Sequence, residues 1–175
     1  MKKIVFLSLV IVWIIGGCTQ NKETNAKLDA FTAKVNLETQ NKALTQKFID
    51  GLNQRDTNYI ELYSPDYKSY FPSASTKPTS REEDLEFQKN NWRLVPDIHW
   101  KTEELIAEGN MVAGRFIVTG TPKEEWFGVP HSGKKFEIGG IFTFRIENGK
   151  IVEHREDADV LGMLQQLGME LKPKE

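Results

Sequence analysis

The sequence predicts an α+β fold, and three observations carry that reading. Leu44, Phe48 and Leu52 recur every four residues, the spacing of one apolar helix stripe. Beyond Pro96 the apolar period falls to two across residues 98–107, 111–121, 135–146 and 151–157. Between these runs lie turn-forming residues, Glu108-Gly109-Asn110 and Glu147-Asn148-Gly149. Helices first and long antiparallel strands afterwards is the α+β arrangement, not the alternating α/β one. No internal repeat interrupts it.

The first element is a leader. Lys2 and Lys3 precede a run from Ile4 to Ile15 that is apolar except for Ser8, and Gly16-Gly17 follow. A positive start, an apolar stretch and small residues before a break form a secretory signal, expected to span residues 1–17. A membrane-spanning helix needs about 20 apolar residues, more than this run offers. The sequence Ile15-Gly16-Gly17-Cys18 resembles the bacterial lipobox, which implies cleavage before Cys18 and a lipid on its thiol. Stable anchoring takes more than one acyl chain, and a processed lipoprotein carries several. The expected location is therefore the bacterial envelope. Thr19 after the cysteine shows no inner-membrane retention signal, which favours the outer membrane where two membranes exist.

Cys18 is the single cysteine, so no disulfide can form within the chain and burial must hold the fold. With that thiol lipidated, cysteine nucleophiles and cysteine-ligated metals are excluded. Removing residues 1–17 takes two lysines from the 23 basic residues and none from the 25 acidic ones, so the formal charge of −2 becomes two units more negative. No basic face remains for nucleic acid. Residues 18–36, the lipidated cysteine and a polar stretch with Leu28, Phe31 and Val35 as its large apolar side chains, read as a tether, helical in part. The domain follows over 37–171, of ordinary single-domain size.

Within it, Asp56-Thr57 can cap a short second helix carrying Tyr59, Ile60 and Leu62 and closed by Pro65. Tyr67 to Phe71 reads as a short strand ending at Pro72. A Ser/Thr/Pro loop over 73–79 leads to Ser80-Arg81-Glu82-Glu83, a capping box in which serine and glutamate satisfy each other's backbone donors. The helix it opens carries Leu85, Trp92 and Leu94. Asp159 caps a final helix with Val160, Leu161, Leu164 and Leu167, stopped by Gly168.

The last hairpin is the most informative segment. A two-residue turn at Asn148-Gly149 would pair Ile146 with Ile151 and mix apolar and charged residues on both faces. A three-residue loop with Gly149 left-handed pairs Ile146 with Lys150. That register gathers Phe142, Phe144, Val152, His154 and Glu156 on one face, with Ile141, Thr143, Arg145, Ile151, Glu153 and Arg155 on the other. Because a one-residue slip exchanges the faces, the second register, which separates aromatic from charged residues better, is the one predicted. An apolar face with an imidazole and a carboxylate two residues apart suits a small-molecule site. A poorly solvated carboxyl there favours its protonated form and can remove and return a proton. Glu156 has a plainer alternative role, capping the last helix or pairing with Arg155 or Arg115. His99 and His131 stand in no metal-ligand spacing, so no metal is expected.

The runs Glu108-Gly109-Asn110, Thr119-Gly120-Thr121, Gly128-Val129-Pro130-His131-Ser132-Gly133-Lys134, Phe144 to His154 and Gln165-Gln166-Leu167-Gly168 resemble the SnoaL-like polyketide cyclases, also called ester cyclases. This family lies in the nuclear-transport-factor-2-like superfamily. The resemblance covers roughly residues 38–170. It implies a cone: a strongly curved antiparallel sheet wrapped by three N-terminal helices, commonly dimeric through the sheet's outer face. It also implies intramolecular aldol chemistry without metal or cofactor, with an acid two positions after the motif histidine. That acid is Glu156 here, after His154. Three positions depart from the family: Phe142 replaces a second pocket histidine, Arg155 a tryptophan, and Tyr70 a first-strand histidine. In such a cone Phe142, Phe144, Tyr70, Trp92 and Trp126 are the expected ligand contacts, the two tryptophans at the cavity mouth, with plain core packing as their alternative role. Two functions stay open: proton transfer on a small apolar carbonyl compound, or binding of a hydrophobic ligand or partner without turnover.

Overall fold

The computed structural model describes residues 5–170 and 172, with side chains from Asn21 onward. The start of the predicted signal sequence, its side chains and the Cys18 thiol lie outside that description. Helix α1 runs Val5–Gln54, so the predicted tether is helical along its length. Among the described residues no helix is long and apolar enough to cross a membrane. Residues 1–37 and 38–175 form two separate compact units. In the first, Leu28, Phe31 and Val35 are exposed and Lys27 pairs with Glu23 at 2.7 Å.

The second unit continues from Glu38 through a 3-10 helix (Thr57–Leu62), β1 (Tyr63–Tyr70), α2 (Arg81–Leu94), β2 (His99–Glu108), β3 (Met111–Gly120), β4 (Phe136–Glu147), β5 (Lys150–Ala158) and α3 (Val160–Leu167). The strands form one curved, unclosed sheet in the order β1-β5-β4-β3-β2. The sheet is mixed, not wholly antiparallel as expected, because β1 lies parallel to β5. Pro65, expected to close a helix, sits inside β1. An edge strand tolerates the missing N–H, and the β1–β5 register breaks between Tyr63 and Lys68, around it.

Caps fix where the helices begin. Ser80 Oγ accepts from the Glu83 N–H while Glu83 Oε2 accepts from the Ser80 N–H, closing the capping box of α2. Asp159 Oδ1 accepts from the Gly162 N–H at 2.8 Å, and Gly168 ends α3 at φ 107°, a conformation suited to glycine. Helix α1 is tied to the sheet at two places. Asn53 both donates to the Trp100 carbonyl and accepts from the Trp100 N–H, while Glu38 and Asn41 take up both backbone groups of Gly109 in the β2–β3 turn. These bonds hold Phe48, Ile49 and Leu52 over the sheet, where all three are buried.

The β4–β5 hairpin corrects the predicted register. Glu147 pairs with Lys150 and Ile146 with Ile151 across a two-residue turn, with Asn148 at φ 51° and Gly149 at φ 71°. The register then shifts, and Arg145 pairs with Glu153, Phe144 with His154 and Phe142 with Glu156. The extra residue is Val152, a β-bulge. Two register errors of one residue cancel in their effect on facing. Phe142, Phe144, His154 and Glu156 still share the inner face, whereas Ile151, assigned to the outer face, is fully buried opposite Ile146. The bulge resolves a conflict of periods: no regular ladder can turn both Ile151 and His154 inward.

Candidate functional site

Between α1, α2 and the concave side of the sheet lies a cavity of about 250 Å³. Aromatic rings dominate its wall, among them Phe48, Phe116, Trp126, Phe136, Phe142 and Phe144. The rings reach it because glycine clears their path. A methyl group on Gly114 would run into the Phe142 ring, and one on Gly140 into Phe116 and, at 2.7 Å, the Asp157 carbonyl. Trp126 is seated by stacking on Phe136 at 5.2 Å and by donating its ring N–H to Asn91 Oδ1 at 3.1 Å.

Three ionisable side chains break this apolar wall near one another. His154 and Glu156 come from β5. His154 is buried, packed edge-on against Phe144, with ring centroids 4.6 Å apart, and against Phe48 at 6.1 Å. Its Nδ1 lies 3.3 Å from the Tyr67 hydroxyl and 3.5 Å from Ser69 Oγ. Its Nε2 lies 3.3 Å from Glu156 Oε2, and among the described residues this buried nitrogen has no hydrogen-bond partner. Glu156 keeps 26% of its side chain exposed.

The third group is Asp84, from the first turns of α2, which sequence reading did not single out. It is buried at 7% exposure, and both tyrosines above it donate to its Oδ2, Tyr63 at 2.8 Å and Tyr59 at 3.3 Å. Burial pushes its carboxyl above the ordinary range. His154 and the two hydroxyls pull the other way without offsetting it, and Glu156 adds to the rise. Asp84 is thus more deeply buried than Glu156, the carboxyl expected from sequence to be poorly solvated. A signal for it exists in the sequence: Asp84, Gln88, Asn91 and Val95 recur at helical spacing, and the first three line the cavity.

Of the residues named from sequence, Phe142, Phe144, Trp126, His154 and Glu156 line the cavity. Tyr70 does not. It lies at the far side of β1, its ring under the Arg155 guanidinium at 3.9 Å, because alternation along the strand gives the inward positions to Tyr67 and Ser69. Trp92 does not line it either. It is a buried residue of α2, edge-on to Tyr59 at 6.3 Å. Arg155 is held by Glu153 at 3.1 Å and donates to the Ser73 carbonyl, so the charge ladder lies on the outer face. Among the described residues no cluster of three His, Cys, Asp or Glu stands ready to hold a metal.

An aromatic cavity enclosed by a curved sheet and its covering helices, with a histidine–carboxylate pair on its wall, defines a small-molecule site of the nuclear-transport-factor-2-like class. The family model described as SnoaL-like polyketide cyclase matches residues 42–167. The chain belongs to that family. Among solved structures, AclR from Streptomyces galilaeus is similar at 26% identity and a TM-score of 0.69, covering 78% of this chain and 91% of its own. IdmH from Streptomyces antibioticus is similar at 27% identity and a TM-score of 0.66, covering 74% and 99%. A SnoaL-like polyketide cyclase from Agrobacterium tumefaciens, at 17% identity and a TM-score of 0.63, covers 73% and 98% and shares the fold. No curated protein sequence matches the chain.

Proposed function

We propose that the cavity takes a small, neutral, largely apolar carbonyl compound, and that Glu156 and His154 move a proton on it in an aldol-type cyclisation or an isomerisation. The observation that carries this reading is the His154 Nε2 atom, buried, without a hydrogen-bond partner among the described residues and 3.3 Å from Glu156 Oε2. A ligand carbonyl beside Nε2 would satisfy it. The imidazole then donates to the oxygen while the Glu156 carboxylate removes a proton from the adjacent carbon. The enolate so formed attacks a second carbonyl carbon of the same molecule, or takes the proton back at another carbon. The proton on Glu156 returns to the new alkoxide or to that carbon, so no group is consumed. Membership of the cyclase family supports this class of chemistry. The cavity is smaller than the roughly 300–1,000 Å³ usual for ligand pockets, which argues for a small substrate.

In this reading the chain works in a bacterial envelope, held at a membrane by a lipid on Cys18 with residues 19–36 as spacer. It pairs with a second copy through the outer face of the sheet, where Ile106 and Ile141 are each 61% exposed.

The test compares the full chain with Glu156→Gln on a panel of diketones and cyclic enones, following binding and product separately. Loss of turnover by at least about 100-fold with retained binding is expected, the scale of a lost general base. Equal turnover in both proteins would refute the role of Glu156. Binding without turnover in either would favour the second reading, a hydrophobic-ligand carrier. That reading draws on Phe142, which leaves His154 as the one imidazole on the cavity wall among the described residues.

A further inference from the structure

Asp84 is not needed by the two-residue chemistry just described, yet it sits on the same cavity wall, and two stacked tyrosines lie between it and His154. Tyr63 donates to Asp84 Oδ2 at 2.8 Å. Tyr63 and Tyr67 stack ring on ring at 3.7 Å with 10° between their planes, which sets the two side chains alongside each other. The Tyr67 hydroxyl then reaches His154 Nδ1 at 3.3 Å. On the other side of the ring Nε2 faces Glu156 and the cavity. Asp84 Oδ1 accepts no hydrogen bond among the described residues.

We propose that Asp84 is a second acid–base terminus of the cavity, joined to His154 by a relay of the Tyr63 and Tyr67 hydroxyls, so that His154 is supplied with protons from its buried side as well as from Glu156. The argument is one of donor counting. Each hydroxyl has one hydrogen to give. With Asp84 ionised, the Tyr63 hydrogen is committed to it. With Asp84 protonated, the carboxylic acid donates to Tyr63, Tyr63 to Tyr67, and Tyr67 to His154 Nδ1, which leaves the histidine proton on Nε2, aimed into the cavity. Passing that proton to a ligand oxygen draws one proton along each link. Asp84 ends ionised, both tyrosines end neutral, and the imidazole ends with its proton on Nδ1. Burial raises both tyrosine hydroxyls well above their ordinary range, so neither stands as a free tyrosinate and the shift along the chain is concerted.

Several charged or titratable groups face Asp84 or its cavity. They are Tyr59 from the 3-10 helix, Tyr63 and Tyr67 from β1, His154 and Glu156 from β5, and Lys77 from the loop before α2. Strand β4 presents apolar side chains there, Phe136, Ile138, Phe142 and Phe144. The catalytic meaning of the relay rests on the proposed function, but the relay can be measured without any ligand. The chain has three histidines, so long-range nitrogen NMR of the ligand-free, full-length protein resolves three rings, with the His154 ring assigned by His154→Gln. The expected spectrum at neutral pH shows His154 protonated on Nε2. Its nitrogen shifts carry two inflections with pH, one of them coinciding with the carboxyl carbon titration of Asp84. Asp84→Asn removes that inflection. Tyr67→Phe leaves the Asp84 carboxyl titrating but uncouples His154 from it, and should Tyr67→Phe not fold, Tyr63→Phe breaks the chain one link earlier. Persistence of the second inflection in the phenylalanine variant would show coupling through space and overturn the relay, as would a free-state proton on Nδ1. Failure of Glu156→Gln to alter turnover leaves these spectra unchanged, so the two ideas fail separately.

Discussion

Phe144 and His154 stand directly opposite each other on β4 and β5, their ring centroids 4.6 Å apart and their planes at 70°. Phe144 is completely buried, and it also meets Phe48 edge-on at 5.1 Å and Phe142 at 4.9 Å. One ring therefore joins helix α1, the sheet and the imidazole. Edge-to-face contacts of this kind fix a ring's direction as well as its position. The orientation of His154 is accordingly set by apolar neighbours more than by its long polar contacts.

Phe144→Ala tests that dependence. Removing a buried phenylalanine ring from a packed core costs about 3–5 kcal/mol, and here the vacated space adjoins a cavity, so little repacking is available. The expected result is an unfolding free energy lowered by that amount, read as a lower denaturation midpoint with the slope unchanged, and a His154 ring signal broadened by reorientation. A loss under about 1 kcal/mol would show that α1 and β4 are held together elsewhere.

Much of this was legible in the sequence, for reasons that differ by element. The capping box, the aspartate cap and the glycine stop act through neighbours in the chain, so Ser80, Asp159 and Gly168 announced α2 and α3 directly. The inward facing of His154 and Glu156 was legible because side-chain period depends only on parity. The pairing was not, since the bulge at Val152 depends on Ile151 and His154 competing for the same face across a turn. The parallel partner of β5 was hidden too, because β1 is 80 residues away and carries Pro65. Asp84 was hidden by its surroundings: in a run of Arg81, Glu82, Glu83 and Asp84, one acid resembles the rest until the fold buries it beneath Tyr59 and Tyr63.

The outer face of the sheet leads to a second prediction. Ile106 and Ile141 project from β2 and β4 at 61% exposure each, among Arg115, Glu103 and Lys101, which pair with one another in solvent. Exposed apolar side chains rimmed by charge suit an isologous interface. Ile141→Lys should convert a dimer to a monomer in sedimentation equilibrium while leaving the cavity intact. A chain that is monomeric at the outset would remove this face from consideration.

Processing of the leader gives a third. If Cys18 is lipidated before cleavage, Cys18→Ala should accumulate in cells as a precursor longer by residues 1–17 and lacking incorporated fatty acid. Wild-type protein should partition into detergent after phase separation. Normal shortening of the variant would leave an ordinary signal sequence and no lipid.

The pH dependence of stability follows from Asp84, and its sign opposes the usual one. Burial raises the folded-state pKa of this carboxyl above its unfolded value, so the native state binds the proton more tightly. Stability from this group is then fully present below the ordinary carboxylate range and is lost as pH rises through the folded pKa. Asp97 and Asp157 act in reverse. Burial alone would raise Asp97, but the backbone and hydroxyl of Thr121, at 2.7 and 2.8 Å, hold it low. Ser73 does the same for Asp157. Their contribution is present at neutral pH and is lost on acidification. Because these opposing groups are common to both proteins, the difference between wild type and Asp84→Asn isolates the buried carboxyl. In urea titrations from acid to neutral pH, wild type should lose stability relative to Asp84→Asn as pH rises above the ordinary aspartate range, and the difference should level off once Asp84 is ionised. A difference that grows in the wild type's favour toward neutral pH would mean that His154 and the tyrosine hydroxyls outweigh desolvation, and that Asp84 is held ionised throughout.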